Sequence, residues 1–130
     1  MRESTLRRLW IAAIAVLVVA IVASSLAPKP VIPTESFSDK YAHFLAYFAL
    51  ALLGSGIASP ASLWRVMLRC FLLGATLEVA QALLTEHRVA DFADLAANAG
   101  GILAAWLIAA HGRAGWGLRA AAWLSGRRSS

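Results

Sequence analysis

The chain has 130 residues, of which 60% are hydrophobic and 15% are charged. A typical soluble domain is about half apolar and about a quarter charged, and so short a chain has too little interior to bury this much apolar surface. The composition excludes a soluble enzyme, a nucleic-acid-binding module and a disordered tail, and it indicates an integral membrane protein. The twelve basic residues behind the net charge of +5 stand in short clusters between apolar runs, as they do in membrane proteins, so we expect no nucleic-acid partner.

Four apolar runs predict four transmembrane helices. Each run is close to the ~20 residues that cross a ~30 Å hydrocarbon core, and a backbone in lipid must satisfy its own hydrogen bonds, so runs of this length form helices. The predicted helices cover residues 9–27, 41–58, 66–84 and 92–110. Prolines from Pro28 onward break the chain after the first, and Ser59-Pro60 is expected to end the second. We therefore predict an all-α membrane protein that forms one domain over residues 1–130.

The flanks of these runs differ in their number of basic residues. One set of flanks carries nine: Arg2, Arg7, Arg8, Arg65, Arg69, Arg113, Arg119, Arg127 and Arg128. The opposite set carries three: Lys29, Lys40 and Arg88. Cytoplasmic flanks are the ones enriched in Lys and Arg, so both termini are predicted to be cytoplasmic, in a multi-pass protein of the bacterial inner membrane. Residues 111–130 then form a basic cytoplasmic tail, either an interfacial helix or a segment that only fixes topology.

The first run also resembles a cleavable signal peptide. Arg7-Arg8 precede a long apolar stretch, and Ser25-Leu26-Ala27 follow it. The apolar stretch is longer than a usual signal-peptide core, which favours a retained helix. Cleavage would leave three spans with the later ones oriented as before.

Polar residues inside the apolar runs indicate where a site would lie, because they are costly in a membrane. They form stripes at helical spacing in the extracytoplasmic half. The stripes are Asp39, His43 and Tyr47 in the second helix, Gly74, Glu78, Gln81 and Thr85 in the third, and Asp91, Asp94, Asn98, Gly101 and Ala105 in the fourth. Small residues such as Gly74, Gly100 and Gly101 are expected to let the third and fourth helices approach closely. The pattern predicts a polar pocket that opens outward.

Three segments in this region resemble the VanZ-like family. Residues 39–47 are similar to its D-K-x-x-H-F-x-x-Y opening, and Glu78 with Gln81 is similar to its E-x-x-Q. Arg88, Asp91, Asp94, Asn98 and Gly101 fall at the spacing of its final segment. The sequence departs from the family at Glu86-His87, where Pro-Gly is frequent, and at Ala105, where Gly is common. The resemblance implies a small polytopic membrane protein of the cell envelope, and the family's namesake is linked to teicoplanin resistance.

We expect the polar pocket to bind an envelope lipid headgroup or a related ligand, including a phosphorylated or lipid-linked one, with an effect on glycopeptide susceptibility if this chain shares its namesake's role. The predicted ligand-binding residues are Asp39, Lys40, His43, Glu78, Gln81, Arg88, Asp91, Asp94 and Asn98. Lys40, His43 and Arg88 would meet a phosphate, and the planar fork of Arg88 would donate to two of its oxygens.

Other interpretations remain open at this stage. An intramembrane enzyme acting on a lipid-linked phosphate would use Glu78 and His43 as acid and base. A purely structural network would pair Arg88 with Asp91 or Asp94 and Glu78 with Gln81 and Asn98, in a partner-dependent membrane subunit. His43, Glu78, Asp91 and Asp94 include metal-binding residue types, but no ligand motif joins them, so we expect neither a metal nor a cofactor. Proton transport is least favoured, because one copy of four short helices shows no inverted repeat. The sequence allows a homo-oligomer and identifies no protein partner.

Overall fold

A computed structural model of the chain describes residues 3–28, 36–86 and 90–126, with side chains of 36–38 excluded. Within these residues every regular element is helical, which confirms the predicted all-α fold. The elements are α1 (Glu3–Leu26), α2 (Ser36–Ser55), a short 3-10 helix (Pro60–Ser62), α3 (Leu63–Leu84), α4 (Phe92–Ala110) and α5 (Trp116–Gly126).

The helix boundaries differ from the predicted ones mainly at the start of α1 and at both ends of α2. Both helices begin before their apolar runs, since polar residues can extend a helix beyond the hydrocarbon core. Ser59-Pro60 does not end α2, which stops at Ser55, but begins the next helical segment. Ser59 accepts a hydrogen bond from the backbone N–H of Ser62, and the Ser62 hydroxyl in turn accepts from the backbone N–H of Ser59. This reciprocal capping, with proline at the first helical position, is a typical helix start.

Three helical segments in the described part of the chain are long and apolar enough to cross a membrane. They are Glu3–Leu26, Pro60–Leu84 and Phe92–Ala110. Helix α2 has 20 residues, a sufficient length, but Asp39, Lys40 and His43 make its first half polar. The structure thus supports a membrane protein with three apolar spans, and a crossing by α2 stays a prediction.

Helix α2 packs mainly against α4, and the closest approach is at Gly101. A Cβ atom at Gly101 would collide with the backbone carbonyl oxygen of Phe44 and stand 2.9 Å from the backbone nitrogen of Phe48. Gly100 faces the Phe44 ring at 3.5 Å. The expectation that these glycines join α3 to α4 is therefore wrong, because they lie where α2 crosses α4. Only Gly74, which faces Asn98, serves the contact between α3 and α4.

The segment after α4 folds back onto the other helices. Trp116 at the start of α5 donates its indole N–H to the backbone oxygen of Leu52 and to the Ser55 hydroxyl. Its ring stands edge-on to that of Trp10, with centroids 5.2 Å apart, and Trp10 donates to the backbone oxygen of Leu53. The predicted basic tail thus includes a helix that joins the beginning of α1 to the end of α2.

Candidate functional site

Lys40 of α2 forms an ion pair with two carboxylates of the segment that begins α4. Its ammonium nitrogen lies 2.5 Å from Asp91 Oδ2 and also contacts Asp94 Oδ1. The Asp94 side chain is 8% exposed, so its charge would be costly to bury without this partner. The N-terminal parts of α2 and α4 are therefore held together by charge.

Lys40 precedes the predicted span of residues 41–58, and its pKa reflects these neighbours. Burial alone would lower the pKa of Lys40, but the hydrogen bonds and negative charges of Asp91 and Asp94 raise it to about 12. The lysine therefore carries its positive charge throughout the physiological pH range.

His43 lies one helical turn after Lys40 and joins the same cluster. Its Nδ1 and the side-chain oxygen of Asn98 are 3.0 Å apart, so the ring N–H donates to the amide oxygen. Its Nε2 stands 3.6 Å from Asp94 Oδ2. Asn98 is 1% exposed, and Gly74 of α3 leaves space for it beside the buried Tyr47 ring. A buried amide is thus paired with an imidazole that also faces a carboxylate.

Glu78 of α3 is buried and contacts the backbone at the start of α4. Its Oε2 accepts a hydrogen bond of 3.2 Å from the backbone N–H of Asp91, the N-cap residue of α4. Asp91 in turn accepts from the backbone N–H of Ala93. Negative charge at a helix N-terminus is favourable, because unpaired N–H groups and the helix dipole point towards it. The hydrogen-bond partner of Glu78 is therefore the backbone of Asp91, whereas the structural network considered from the sequence paired Glu78 with Gln81 and Asn98.

Gln81 is buried but turns away from the charged cluster towards α1. Its amide N–H donates to the backbone oxygen of Ser25 at 2.9 Å, and the Thr85 hydroxyl donates to the backbone oxygen of Gln81. A cavity of about 170 Å³ lies between α1, α2 and α3. Asp39 and His43 line it from α2, Ser24 and Ser25 from α1, and Gln81 from α3. The cavity offers hydroxyl, carboxylate, imidazole and amide groups in a space the size of a small headgroup.

Three potential metal ligands also converge at this end of α2. Atoms of Asp39, His43 and Asp94 all lie within 4.8 Å of one another. Asp94 already faces the ammonium group of Lys40, which supplies positive charge where a cation would sit. The metal-binding residue types noted in the sequence were His43, Glu78, Asp91 and Asp94. The structure groups His43 and Asp94 with Asp39, and Glu78 and Asp91 are not in this group.

Most of the predicted site residues lie in one region of the structure. Lys40, His43, Asp91, Asp94 and Asn98 are joined by direct contacts, and Glu78 reaches them through the backbone of Asp91. Asp39 and Gln81 line the adjoining cavity. Arg88 lies outside the described residues. The sequence did not indicate the contribution of α1, because Ser25 acts through its backbone oxygen, which leaves no signal in side-chain patterns.

The family model VanZ/LLP1 matches residues 6–113 of the chain. This stretch begins near the start of α1, ends after α4, and includes every predicted site residue. No curated protein and no solved structure matches the chain.

Proposed function

The protein belongs to the VanZ/LLP1 family, and on that premise we propose that it is a multi-pass protein of the bacterial cytoplasmic membrane whose outward-facing polar cluster binds an envelope lipid headgroup. The observation that carries the proposal is the cavity beside the cluster, lined by Ser24, Asp39, His43 and Gln81. Buried polar groups at the end of apolar helices are costly unless a partner or ligand uses them. On the proposed topology the cavity lies near the outer membrane surface, where lipid headgroups are the most abundant ligands.

The proposed topology has both termini in the cytoplasm. It is supported by the contact between Trp10 in α1 and Trp116 in α5, which brings the first and last helices together. The arginine-rich starts of α1 and α3 lie at the ends of these helices remote from Ser25 and Glu78. Since basic residues mark cytoplasmic flanks, the polar cluster would face the outer leaflet.

The cavity suggests how a headgroup would be recognised. Lys40 is already shared between Asp91 and Asp94, so a phosphate would be met by His43 and, on the sequence prediction, by Arg88. Hydroxyl or amine groups of a ligand would meet Asp39 and the hydroxyl of Ser24. With a volume of about 170 Å³, the cavity would admit the headgroup and leave the acyl chains in the membrane.

A structural network is the second candidate, favoured by the number of contacts already made within the cluster. Lys40 holds two carboxylates, His43 holds Asn98, and Glu78 holds the start of α4. In that case the cluster fixes α2, α3 and α4 in register and needs no ligand.

Native mass spectrometry of gently purified protein separates the two candidates. Ala46 lines the cavity without joining the ion pairs, so Ala46→Leu should fill the cavity and displace a bound lipid. Ala82→Leu, on the exposed side of α3, is the matched control and should retain it. Wild-type protein that carries no stoichiometric lipid, with both variants equally folded, would refute headgroup binding.

Glu78→Gln tests for chemistry on the bound lipid. Glutamine keeps an oxygen that can accept from the Asp91 N–H but removes the proton-transfer group. If the protein is an enzyme that uses Glu78 and His43, this variant retains the lipid and stops its conversion. If the network is structural, Glu78→Gln and Asn98→Ala lower yield and thermal stability and change no bound ligand.

A further inference from the structure

A second cavity lies at the opposite end of the helices from the polar cluster. Its volume is about 560 Å³, and α1, α2 and α3 form its walls. Most of the wall is apolar, with Ile14 and Val18 from α1 and Leu73 from α3. Three arginines also line it, Arg7, Arg65 and Arg69. The cavity therefore combines an apolar interior with concentrated positive charge.

The positive charge of this cavity has no protein counter-ion in the described part of the chain. Among residues 3–28, 36–86 and 90–126, no carboxylate forms an ion pair with Arg7, Arg65 or Arg69. Arg65 instead lies over the Trp64 ring, 5.4 Å from its centroid. Arg69 is inside the apolar span Pro60–Leu84. A cation in such a position normally faces a partner, a water-filled cavity or a ligand.

The length of the cavity matches one leaflet of a bilayer. Along α1 it extends from Arg7 to Val18, which is ~16 Å at 1.5 Å per residue. On the facing wall it extends from Ser62, the last residue of the 3-10 helix, to Leu73 of α3, the same number of residues. Half of the ~30 Å hydrocarbon core is about the same length. An acyl chain whose headgroup lies near Arg7 would therefore reach the inner end of the cavity at Val18.

We propose that this cavity binds one anionic glycerophospholipid, with its phosphate at Arg7, Arg65 and Arg69 and one acyl chain between α1 and α3. The guanidinium groups donate paired hydrogen bonds to phosphate oxygens. Basic pockets between helices on the cytoplasmic side suit anionic headgroups. The residues that line this cavity are different from those of the polar cluster, so this site does not depend on ligand binding at the cluster. On the proposed topology its lipid belongs to the inner leaflet.

The experiment compares phosphatidylglycerol with phosphatidylcholine of the same acyl chains, each added to purified protein in detergent micelles. Lipid retention is measured by native mass spectrometry, and thermal stability is measured in parallel. The variants are Arg69→Gln and Arg7→Gln. Arg8→Gln is the matched control, because Arg8 carries the same charge on the same helix without lining the cavity.

Wild type and Arg8→Gln should retain phosphatidylglycerol in preference to phosphatidylcholine. Each cavity variant should bind phosphatidylglycerol about tenfold more weakly, as expected for the loss of one charge-assisted contact. Without lipid, Arg69→Gln should be at least as stable as wild type, because it removes an unpaired charge from an apolar span. With phosphatidylglycerol, wild type should gain thermal stability that Arg69→Gln does not gain.

Equal retention of the two lipids, or equal loss in Arg8→Gln and Arg69→Gln, would overturn the proposal. Displacement of phosphatidylglycerol by glycerol 3-phosphate at equal concentration would also overturn it, since the site would then hold a free anion and no acyl chain. Neither cavity variant changes a residue of the Lys40 cluster. Lipid binding at the polar cluster can therefore still be measured when this cavity has lost its lipid.

Discussion

The ammonium group of Lys40 donates to the carboxylate of Asp94, which lies 54 residues further along the chain. This contact joins the N-terminal part of α2 to the first turn of α4 at the only buried aspartate among the described residues. It places a positive charge between Asp91 and Asp94, and Asp94 in turn faces His43.

Lys40→Met should destabilise the protein by about 2–3 kcal/mol, because Asp94 is left buried without its counter-ion. Lys40→Met combined with Asp94→Asn should recover part of this loss, since the double variant buries no unpaired charge. Thermal unfolding in detergent of the wild type, both single variants and the double variant gives the interaction energy. Strictly additive effects would show that the ion pair contributes nothing.

Gly101→Ala should destabilise the protein by about 1–3 kcal/mol, because the new methyl group meets the backbone of α2 at Phe44 and Phe48. Gly100→Ala is the control. Its methyl group would lie 3.5 Å from the Phe44 ring, an ordinary contact, and alanine favours the helix by up to about 1 kcal/mol. We expect opposite signs from adjacent glycines in the same unfolding assay, and a similar effect from both would contradict the crossing geometry.

Trp116→Phe should lower thermal stability, because it removes the hydrogen bonds to Leu52 and Ser55 while keeping an aromatic ring near Trp10. The expected loss is about 1 kcal/mol for a part-buried neutral donor. Trp106→Phe, at a position 41% exposed, should change little. If the two variants are equally stable, the contacts of α5 do not stabilise the fold, and residues 111–130 act only as a tail that fixes topology.

The membrane topology can be tested with single cysteines and a terminal reporter. A green fluorescent protein fused after Ser130 should fluoresce, because it folds in the cytoplasm. In a Cys70→Ala background, Glu86→Cys should react with an impermeant maleimide added to intact spheroplasts. The matched cysteine variant Arg113→Cys should react only after the membrane is opened. The reverse labelling pattern would invert the proposed orientation.

Much of the architecture could be predicted from local properties of the sequence. The span of α4 matches the predicted residues 92–110, since hydropathy defines it without reference to other helices. The start of α2 at Ser36 does not follow from hydropathy, although Ser36 and Ser38 are residues that can cap a helix. The first turns of α2 are polar, and Lys40 and His43 contact α4, which a hydropathy pattern does not record.

The site was predictable as a set of residues but not as a set of contacts. Helical spacing showed that Asp39 and His43 share a face, as do Glu78 and Gln81. Spacing does not show which helix covers that face. For this reason the sequence suggested wrong partners for Glu78, assigned Gly101 to the wrong helix pair, and missed the turn of Gln81 towards α1.

The sequence by itself determined the three apolar spans and the polar stripes, because these depend on the period of one helix and on the thickness of the membrane, and it carried the family motifs. The tertiary structure decided that Lys40 bridges Asp91 and Asp94, that α5 returns to Trp10, and that three arginines line one apolar cavity. These features depend on how separate helices cross. Crossing is set by small residues such as Gly101, whose effect appears only when a second backbone lies against them.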